Sequence, residues 1–260
     1  MNQKPVKVQS VSRALQLLET LLRSGVPLSA LELSQQTDLN RSTVHSLLDT
    51  LLACGYVQRE SSYGKYQPSI KMYALSRVFA VRHPFVRNCD PIIASLAVKY
   101  NVSLNLGLLA QDDTLVIVKE FMPAEHQTRT SGYMVPFHAS SLGKVFLAFL
   151  PEEHSERILS ELKLEPLTQY SIRDRETLRK EAETARQCGY AVVRDEFAYG
   201  FTSFAFPVFD AGRDLAGAFS FTAATDRLDS MPPHFLEECL QASHDCSVEM
   251  GCIAPPVFVT

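Results

Sequence analysis

Residues 40–55 form the stretch that most constrains how this chain folds. Asn40 is a favourable helix N-cap, and Gly55 is a favourable C-terminal stop. Between them the apolar residues recur at helical spacing, at Val44, Leu47, Leu48, Leu51 and Leu52. The opposite face carries short polar side chains, Ser42, His45, Ser46 and Asp49. Such a helix suits the major groove of DNA, although an ordinary amphipathic surface helix has the same outline.

Two shorter helices are predicted before this stretch. The first begins at Ser10 or Ser12 and ends at Gly25. Its apolar stripe contains Val11, Ala14, Leu15, Leu18, Leu21 and Leu22. Ser29 caps a second helix, which runs to about Gln36 with Leu31 and Leu33 facing inward. A turn of about four residues then leads into residues 41–54, as a helix-turn-helix requires.

The period changes from helical to alternating after Gly55. Residues 56–60 and 65–68 are predicted to be two strands of a hairpin, the wing of a winged helix-turn-helix. Its tip carries Tyr63 and Lys65, which we expect to contact the DNA backbone. We therefore assign residues 1–68 to a DNA-binding domain and residues 69–84 to a linker helix, which we also expect to form a dimer contact.

Residues 85–260 are predicted to form a second domain with an antiparallel sheet, so the fold class is α+β. A helix is expected from Asp90 to Tyr100, and the strands are expected at 102–109, 114–121, 189–194, 200–209 and 215–222. In the strands each apolar face is opposed by a face of small or hydroxyl side chains: Ser103, Asn105 and Gly107; Phe201, Ser203 and Ala205; Ala216, Ala218, Ser220 and Thr222. Solvent-facing positions usually carry Lys, Glu and Arg, so these faces predict a cavity.

The charge distribution supports a DNA-binding N-terminal part. Up to Asn88 there are eleven Lys and Arg against five Asp and Glu, a net charge of +6, and the remainder carries −10. An apolar run of the length that spans a bilayer is missing, as is a signal-peptide core, so we expect a cytoplasmic protein.

Taken together, these motifs resemble the IclR family of transcriptional regulators. The resemblance rests on Val11–Leu18, Asn40–His45 and Gly55–Val57 in the N-terminal part. In the C-terminal part it rests on Val135–Lys144, with its Pro–His-Ala–Gly-Lys pattern, and on Glu196, Gly200 and Ala205–Val208. It covers nearly the whole chain.

The resemblance implies a winged helix-turn-helix, a linker helix and a GAF-like effector-binding domain. It implies dimers or dimers of dimers on a palindromic operator in double-stranded DNA, with repressor or activator action changed by a small metabolite. Two positions depart from the family pattern. Ser46 stands where an arginine is usual, so the operator sequence is expected to differ from that of relatives with the arginine. Ser203 stands where many relatives carry cysteine.

Candidate site residues follow from the helix face and from the resemblance. The residues expected to read DNA are Arg41, Ser42, Thr43, His45 and Ser46, with Tyr63 and Lys65 on the wing. Family pocket positions correspond to Val135, Ser141, Phe201, Ser203, Ser220 and Thr222. Arg129 on the preceding loop is expected to attract a carboxylate, so the predicted ligand is a small organic acid, aromatic because of Phe201 and Tyr199, or aliphatic.

Three other functions compete with this interpretation. His138, Ser140, Ser141 and Lys144 cluster as in acyl-transfer or hydrolytic enzymes, but no catalytic motif accompanies them, so we expect no catalysis and a structural role for His138 in tying its loop to the sheet. His234, Cys239, His244, Cys246 and Cys252 match no common zinc spacing, so no metal and no cofactor is expected. The third alternative is a DNA-binding repressor that binds no small molecule. It differs from the favoured interpretation only in that the protein's own side chains fill the cavity.

Overall fold

The computed structural model describes residues 8–60, 64–110, 113–121 and 134–258. The chain forms two compact units, which divide between Phe79 and Ala80.

The N-terminal unit contains three helices, a hairpin and most of a fourth helix. Its elements are α1 (Gln9–Ser24), α2 (Ala30–Thr37), α3 (Arg41–Ala53), β1 (Val57–Arg59), β2 (Tyr66–Pro68) and α4 (Ile70–Arg82), the last of which continues past the division. Strands β1 and β2 are antiparallel, with Gln58 opposite Gln67, and Leu28 adds a bridge to Tyr66. The predicted order of helices and hairpin is confirmed, while residues 61–63 at the hairpin tip lie outside the described residues.

Local capping explains where α2 and α3 begin. The Ser29 hydroxyl accepts from the Glu32 amide, and the Glu32 carboxylate accepts from the Ser29 amide, which is a complete capping box. The Asn40 side chain accepts from the Thr43 amide at 2.8 Å and so fixes the first turn of α3.

The core of this unit differs in part from the predicted apolar faces. It is built from Leu17, Leu18, Leu21, Leu28, Leu33, Val44, Leu48, Val57 and Tyr66. Leu31 was predicted to face inward, but it is exposed, because residues two apart on a helix point in nearly opposite directions. Three residues of the predicted stripe on α1 are also exposed, namely Val11, Leu15 and Leu22, because α1 carries more apolar residues than one core-facing stripe holds.

The C-terminal unit is a five-stranded antiparallel sheet between two layers of helices. Its elements are α5 (Pro84–Tyr100), β3 (Ser103–Leu109), β4 (Leu115–Phe121), α6 (Ser141–Phe149), α7 (Glu152–Glu161), α8 (Arg175–Cys188), β5 (Ala191–Arg194), β6 (Phe201–Phe209), β7 (Leu215–Ala224), α9 (Thr225–Asp229) and α10 (Phe235–Glu249). The strand order is β4-β3-β7-β6-β5, with every pair antiparallel.

The two faces of the sheet bury different side chains. On one face α5 and α10 cover large residues, including Phe206 and Phe219, whose rings stack with centroids 5.2 Å apart. On the other face α6 and α8 pack against small residues such as Ala205 and Ala218. Helix α6 is buried along almost its whole length, which places its first residues against the sheet.

Two predictions for this unit are wrong in detail. Helix α5 begins at Pro84 rather than at Asp90, because a proline fits the first position of a helix, and Pro91 is accommodated inside it. Strict alternation over residues 215–222 predicts that Leu215 shares the apolar face with Phe219, opposite to Ala216 and Ala218. Leu215 instead packs on the α6 side, since the register shifts between Val208 and Phe209.

A bilayer-spanning helix is not found anywhere in the described part of the chain.

Candidate functional site

The exposed face of α3 presents the predicted recognition residues together. Arg41, Ser42, His45 and Ser46 are exposed, Thr43 is half-buried, and Val44 on the opposite face is fully buried. The Ser42 hydroxyl donates to the Asn40 side chain at 2.8 Å, so it can still accept a hydrogen bond from outside. The polar face is therefore held in place by the N-cap and is open to a partner.

The hairpin places its cations beside carboxylates. Lys65 Nζ lies 3.8 Å from Glu32 Oε2, and Arg59 lies 3.9 Å from Asp49 Oδ1 on α3. The backbone amide and hydroxyl of Ser29 hold the pKa of Glu32 below its usual value, and Lys65 adds to this shift, so Glu32 stays ionised at neutral pH. Any anion that approaches Lys65 has to share its charge with Glu32. Tyr63 lies outside the described residues.

Lys71 on α4 ties down the end of α3, a contact that the sequence did not predict. Its Nζ donates to the Cys54 carbonyl at 2.7 Å and lies 4.3 Å from the centre of the Tyr56 ring. A cation at a helix C-terminus satisfies a free carbonyl and interacts favourably with the helix dipole.

A cavity of about 300 Å³ lies on the α6 side of the sheet. Six of the seven residues predicted to bind an effector line it, namely Val135, Ser141, Phe201, Ser203, Ser220 and Thr222. The seventh, Arg129, lies outside the described residues. Tyr199 was predicted to be nearby, but its hydroxyl accepts from the Gln169 amide, its ring packs edge-on against Tyr170, and it is not a lining residue.

Hydroxyl groups in the cavity bond to one another across three elements. Ser141 and Ser203 are 2.7 Å apart between their oxygens, and Thr222 donates to Ser203 at 2.9 Å. Ser141 is the first residue of α6, where backbone amides lack partners inside the helix, and Ser140 caps the helix by accepting from Gly143 at 3.0 Å. Hydroxyl donors beside the positive end of a helix dipole suit a carboxylate.

Further lining residues were not among the predicted site residues. Asn105 lies opposite Ser220 on one side and opposite Glu120 on the other, and its amide donates to the Ser220 hydroxyl at 3.3 Å. Among the lining residues that the structure describes, Glu120 is the charged one. The alternating pattern of β3 placed Asn105 on the face that was predicted to line a cavity, whereas Phe197 comes from a loop without periodicity.

A buried ion pair connects α6 to that loop. Lys144 is 1% exposed, and its Nζ lies 2.6 Å from Glu196 Oε1 and 3.5 Å from Glu181 Oε2. Burial raises the pKa of Glu196, and the Lys144 charge partly offsets this increase. Since Phe197 and Ala198 follow directly, the pair positions one wall of the cavity.

The side chains that were considered for catalysis have separate partners. His138 Nε2 lies 2.8 Å from the Glu165 carbonyl, so it ties its loop to the segment around Glu165 and not, as predicted, to the sheet. Ser140 donates to the Pro136 carbonyl, and Lys144 pairs with Glu196. The contacts of His138 and Ser140 hold the loop before α6 in place, and the Lys144–Glu196 pair joins α6 to the loop that contains Glu196.

Within the described ranges, no group of three or more His, Cys, Asp or Glu side chains is placed to hold a metal ion. Cys239 and Cys246 of α10 are fully buried in the apolar core.

Two family models match the two parts of this chain. Residues 10–61 match the IclR helix-turn-helix domain, and residues 79–248 match the C-terminal domain of the bacterial transcriptional regulator IclR. The chain is 28% identical to the transcriptional repressor IclR of Escherichia coli K12, over 94% of this chain and 91% of that protein. It is also 28% identical to the DNA-binding transcriptional repressor YiaJ of the same organism, over 96% of this chain and 90% of that protein.

Solved structures share the fold over almost the whole chain. A putative IclR transcriptional regulator from Silicibacter sp. TM1040 has a TM-score of 0.80 at 21% identity, covering 96% of this chain and all of that one. An IclR homologue from Microbacterium hydrocarbonoxydans, complexed with 4-hydroxybenzoate, has a TM-score of 0.76 at 21% identity, covering 93% of this chain and 99% of that one.

Proposed function

This chain belongs to the IclR family of bacterial transcriptional regulators, and from that premise we propose that a small organic acid in the cavity beside α6 changes how α3 binds an operator. The proposal is carried by one observation: the same chain contains a helix-turn-helix unit and a second unit with a hydroxyl-lined cavity.

In this proposal the first two turns of α3 read the base edges. Arg41, His45 and Ser46 are exposed on this face, and arginine, histidine and serine side chains all bond to bases in the major groove. Lys65 on the hairpin contacts the backbone, as does Tyr63, and both fix the position of α3.

Replacing His45 by alanine is expected to change the preferred DNA sequence, while replacing Lys65 by alanine is expected to weaken binding about equally for all sequences. Selection from random duplexes, followed by titration of the full chain, measures both effects. The two variants are controls for each other, since each removes one side chain from the same unit. Identical consequences for the two variants would contradict this division of roles.

The cavity is at the lower end of the range of about 300–1,000 Å³ that is typical of small-molecule sites, so the ligand is small. Hydroxyl groups at the start of α6 support a carboxylate there, and Phe201 supports an aromatic acid as readily as an aliphatic one. The complex of the Microbacterium homologue with 4-hydroxybenzoate adds support for this ligand class. Arg129 remains a proposed partner of the carboxylate.

Removing the Ser203 hydroxyl is expected to weaken acid binding. A hydrogen bond to a charged group contributes about 1.5–3 kcal/mol, so Ser203→Ala is expected to raise the Kd about 10- to 100-fold. A thermal-shift screen of aromatic and aliphatic acids on the full chain identifies a binder, and titration compares the variants. Ser160→Ala, at an exposed hydroxyl of α7, is the matched control. Unchanged affinity in Ser203→Ala would remove Ser203 from the site.

Pairing of two chains is part of the proposal. Helix α4 exposes Ile70, Tyr73, Leu75, Val78 and Phe79, and α1 exposes Val11, Leu15 and Leu22. A second copy that covers these apolar residues gives a homodimer, or a dimer of dimers, whose two-fold symmetry matches a palindromic operator.

The proposal assigns no catalytic step to the chain and places it in the cytoplasm, where DNA is accessible. It keeps the domain boundaries that the sequence predicts, with DNA binding in 1–68, a linker helix in 69–84 and ligand binding in 85–260.

A further inference from the structure

An open cleft separates the first two turns of α1 from the first two turns of α3. It is lined by Gln9, Ser10, Arg13, Ser42, Thr43, Ser46 and Leu47. Its polar lining consists of hydroxyl groups, one amide and the Arg13 guanidinium, and none of these lining residues is acidic. The cleft opens beside the exposed face of α3 that carries His45.

Arg13 is a half-buried cation without a partner in the ranges that the structure describes. Arg23, Arg41 and Arg77 of this unit also lack a partner among the described residues, but they are exposed. Lys65 and Arg59 lie within 4.0 Å of carboxylates, and Lys71 donates to the Cys54 carbonyl. Within the described part of the chain, Arg13 forms no ion pair and no hydrogen bond, although its side chain is half-buried. A guanidinium carries its charge at every accessible pH and donates up to five hydrogen bonds, so this one lacks an anionic partner.

We propose that this cleft binds one phosphate of the DNA backbone, with Arg13 as its cationic ligand and the hydroxyl of Ser10 at its side. The inference rests on the proposed placement of α3 in the major groove, because a cleft beside the first turns of a helix in that groove faces the phosphates at the edge of the groove. A phosphate contact carries no sequence information, so Arg13 fixes the position of α3 and leaves the base readout to other residues.

The test is the salt dependence of DNA binding by the full chain. Each phosphate contact contributes about 0.9 to the slope of log Kd against log salt concentration, so a dimer of Arg13→Gln is expected to lose about 1.8 from that slope. Between about 50 and 200 mM salt, the affinity gap between the wild type and the variant then narrows about tenfold, with the preferred sequence unchanged. Arg13→Lys keeps the charge and is expected to keep most of the slope.

Arg23→Gln is the matched control. Arg23 is exposed in the last turn of the same helix, about 15 Å along the axis from Arg13. Its replacement by glutamine is expected to leave the slope of log Kd against log salt concentration unchanged. A wild-type slope in Arg13→Gln would overturn the inference. If the wild type itself showed no sequence-specific DNA binding, the proposed function would be overturned instead, so the two failures are distinguishable.

Ser10→Glu provides an independent arm. Ser10 is exposed in the first turn of α1, where a carboxylate favours helix formation, so folding is not at risk. In the cleft the same carboxylate repels a phosphate, so DNA affinity is expected to fall at least tenfold while the thermal midpoint stays the same or rises. Wild-type affinity in Ser10→Glu would contradict a phosphate in the cleft.

Discussion

Replacing Lys144 by methionine is expected to lower the free energy of unfolding of the C-terminal unit by about 3–5 kcal/mol. The substitution keeps most of the side-chain volume but removes the charge that lies 2.6 Å from Glu196, which leaves a buried carboxylate without its partner. Urea denaturation of the full chain measures the loss. Lys163→Met, at an exposed lysine, is the control and is expected to stay within about 0.5 kcal/mol of the wild type.

The loss in Lys144→Met is also expected to depend on pH. Burial raises the pKa of Glu196, and removing Lys144 takes away the main opposing effect, so the pKa rises further. A carboxyl group whose pKa is higher in the folded state stabilises that state at low pH, and this stability is lost as the pH rises through the folded-state pKa. The difference in the free energy of unfolding between Lys144→Met and the wild type is therefore expected to be smaller at about pH 5 than at about pH 8. A gap that is equal at both pH values would show that Glu196 does not carry the effect.

Replacing Gly143 by alanine is expected to destabilise the same unit by about 1–3 kcal/mol or more. A Cβ at this position would lie 2.3 Å from the Phe137 Cα and 2.4 Å from its carbonyl oxygen, and backbone atoms cannot move aside as a side chain does. Relief of the collision displaces the start of α6, so Ser141 leaves its place in the cavity and acid affinity falls as well. Denaturation and acid titration measure the two effects.

Gly212→Ala is the control for this substitution. Its new Cβ would meet only the carboxylate ends of Asp210 and Asp214, at 3.2 and 3.4 Å, in an exposed turn. A change of less than about 0.5 kcal/mol is expected. If Gly143→Ala lowered the free energy of unfolding as little as this control does, the close approach of α6 to the backbone of Phe137 would not explain the glycine at position 143.

Local patterns in the sequence predict much of this fold. The sequence predicts helix ends at Gly25, Ser29 and Asn40. In the structure α1 ends at Gly25, Ser29 caps the start of α2, and Asn40 caps the start of α3. The alternation of small and large residues in β6 and β7 identifies one face of the sheet, and Ser203 and Ser220 of that face line the cavity.

Features that depend on distant residues were not predictable in this way. Lys144 belongs to a recognisable motif, but its partner Glu196 is 52 positions away in a loop without periodicity. The irregular register after Val208 turns Leu215 to the opposite face, and no single residue signals it. Similarly, the cleft that contains Arg13 exists only because α1 and α3 pack together, so the sequence alone showed Arg13 as an ordinary residue of the first helix.

The central claim is that occupancy of the cavity changes DNA binding. Its most direct test is titration of the full chain with a duplex selected from a random library, with and without the acid that gives the largest thermal shift. We expect the acid to change the Kd at least about fivefold, and Ser203→Ala to need more acid for the same change. An identical Kd at an acid concentration that saturates the thermal shift would contradict the account.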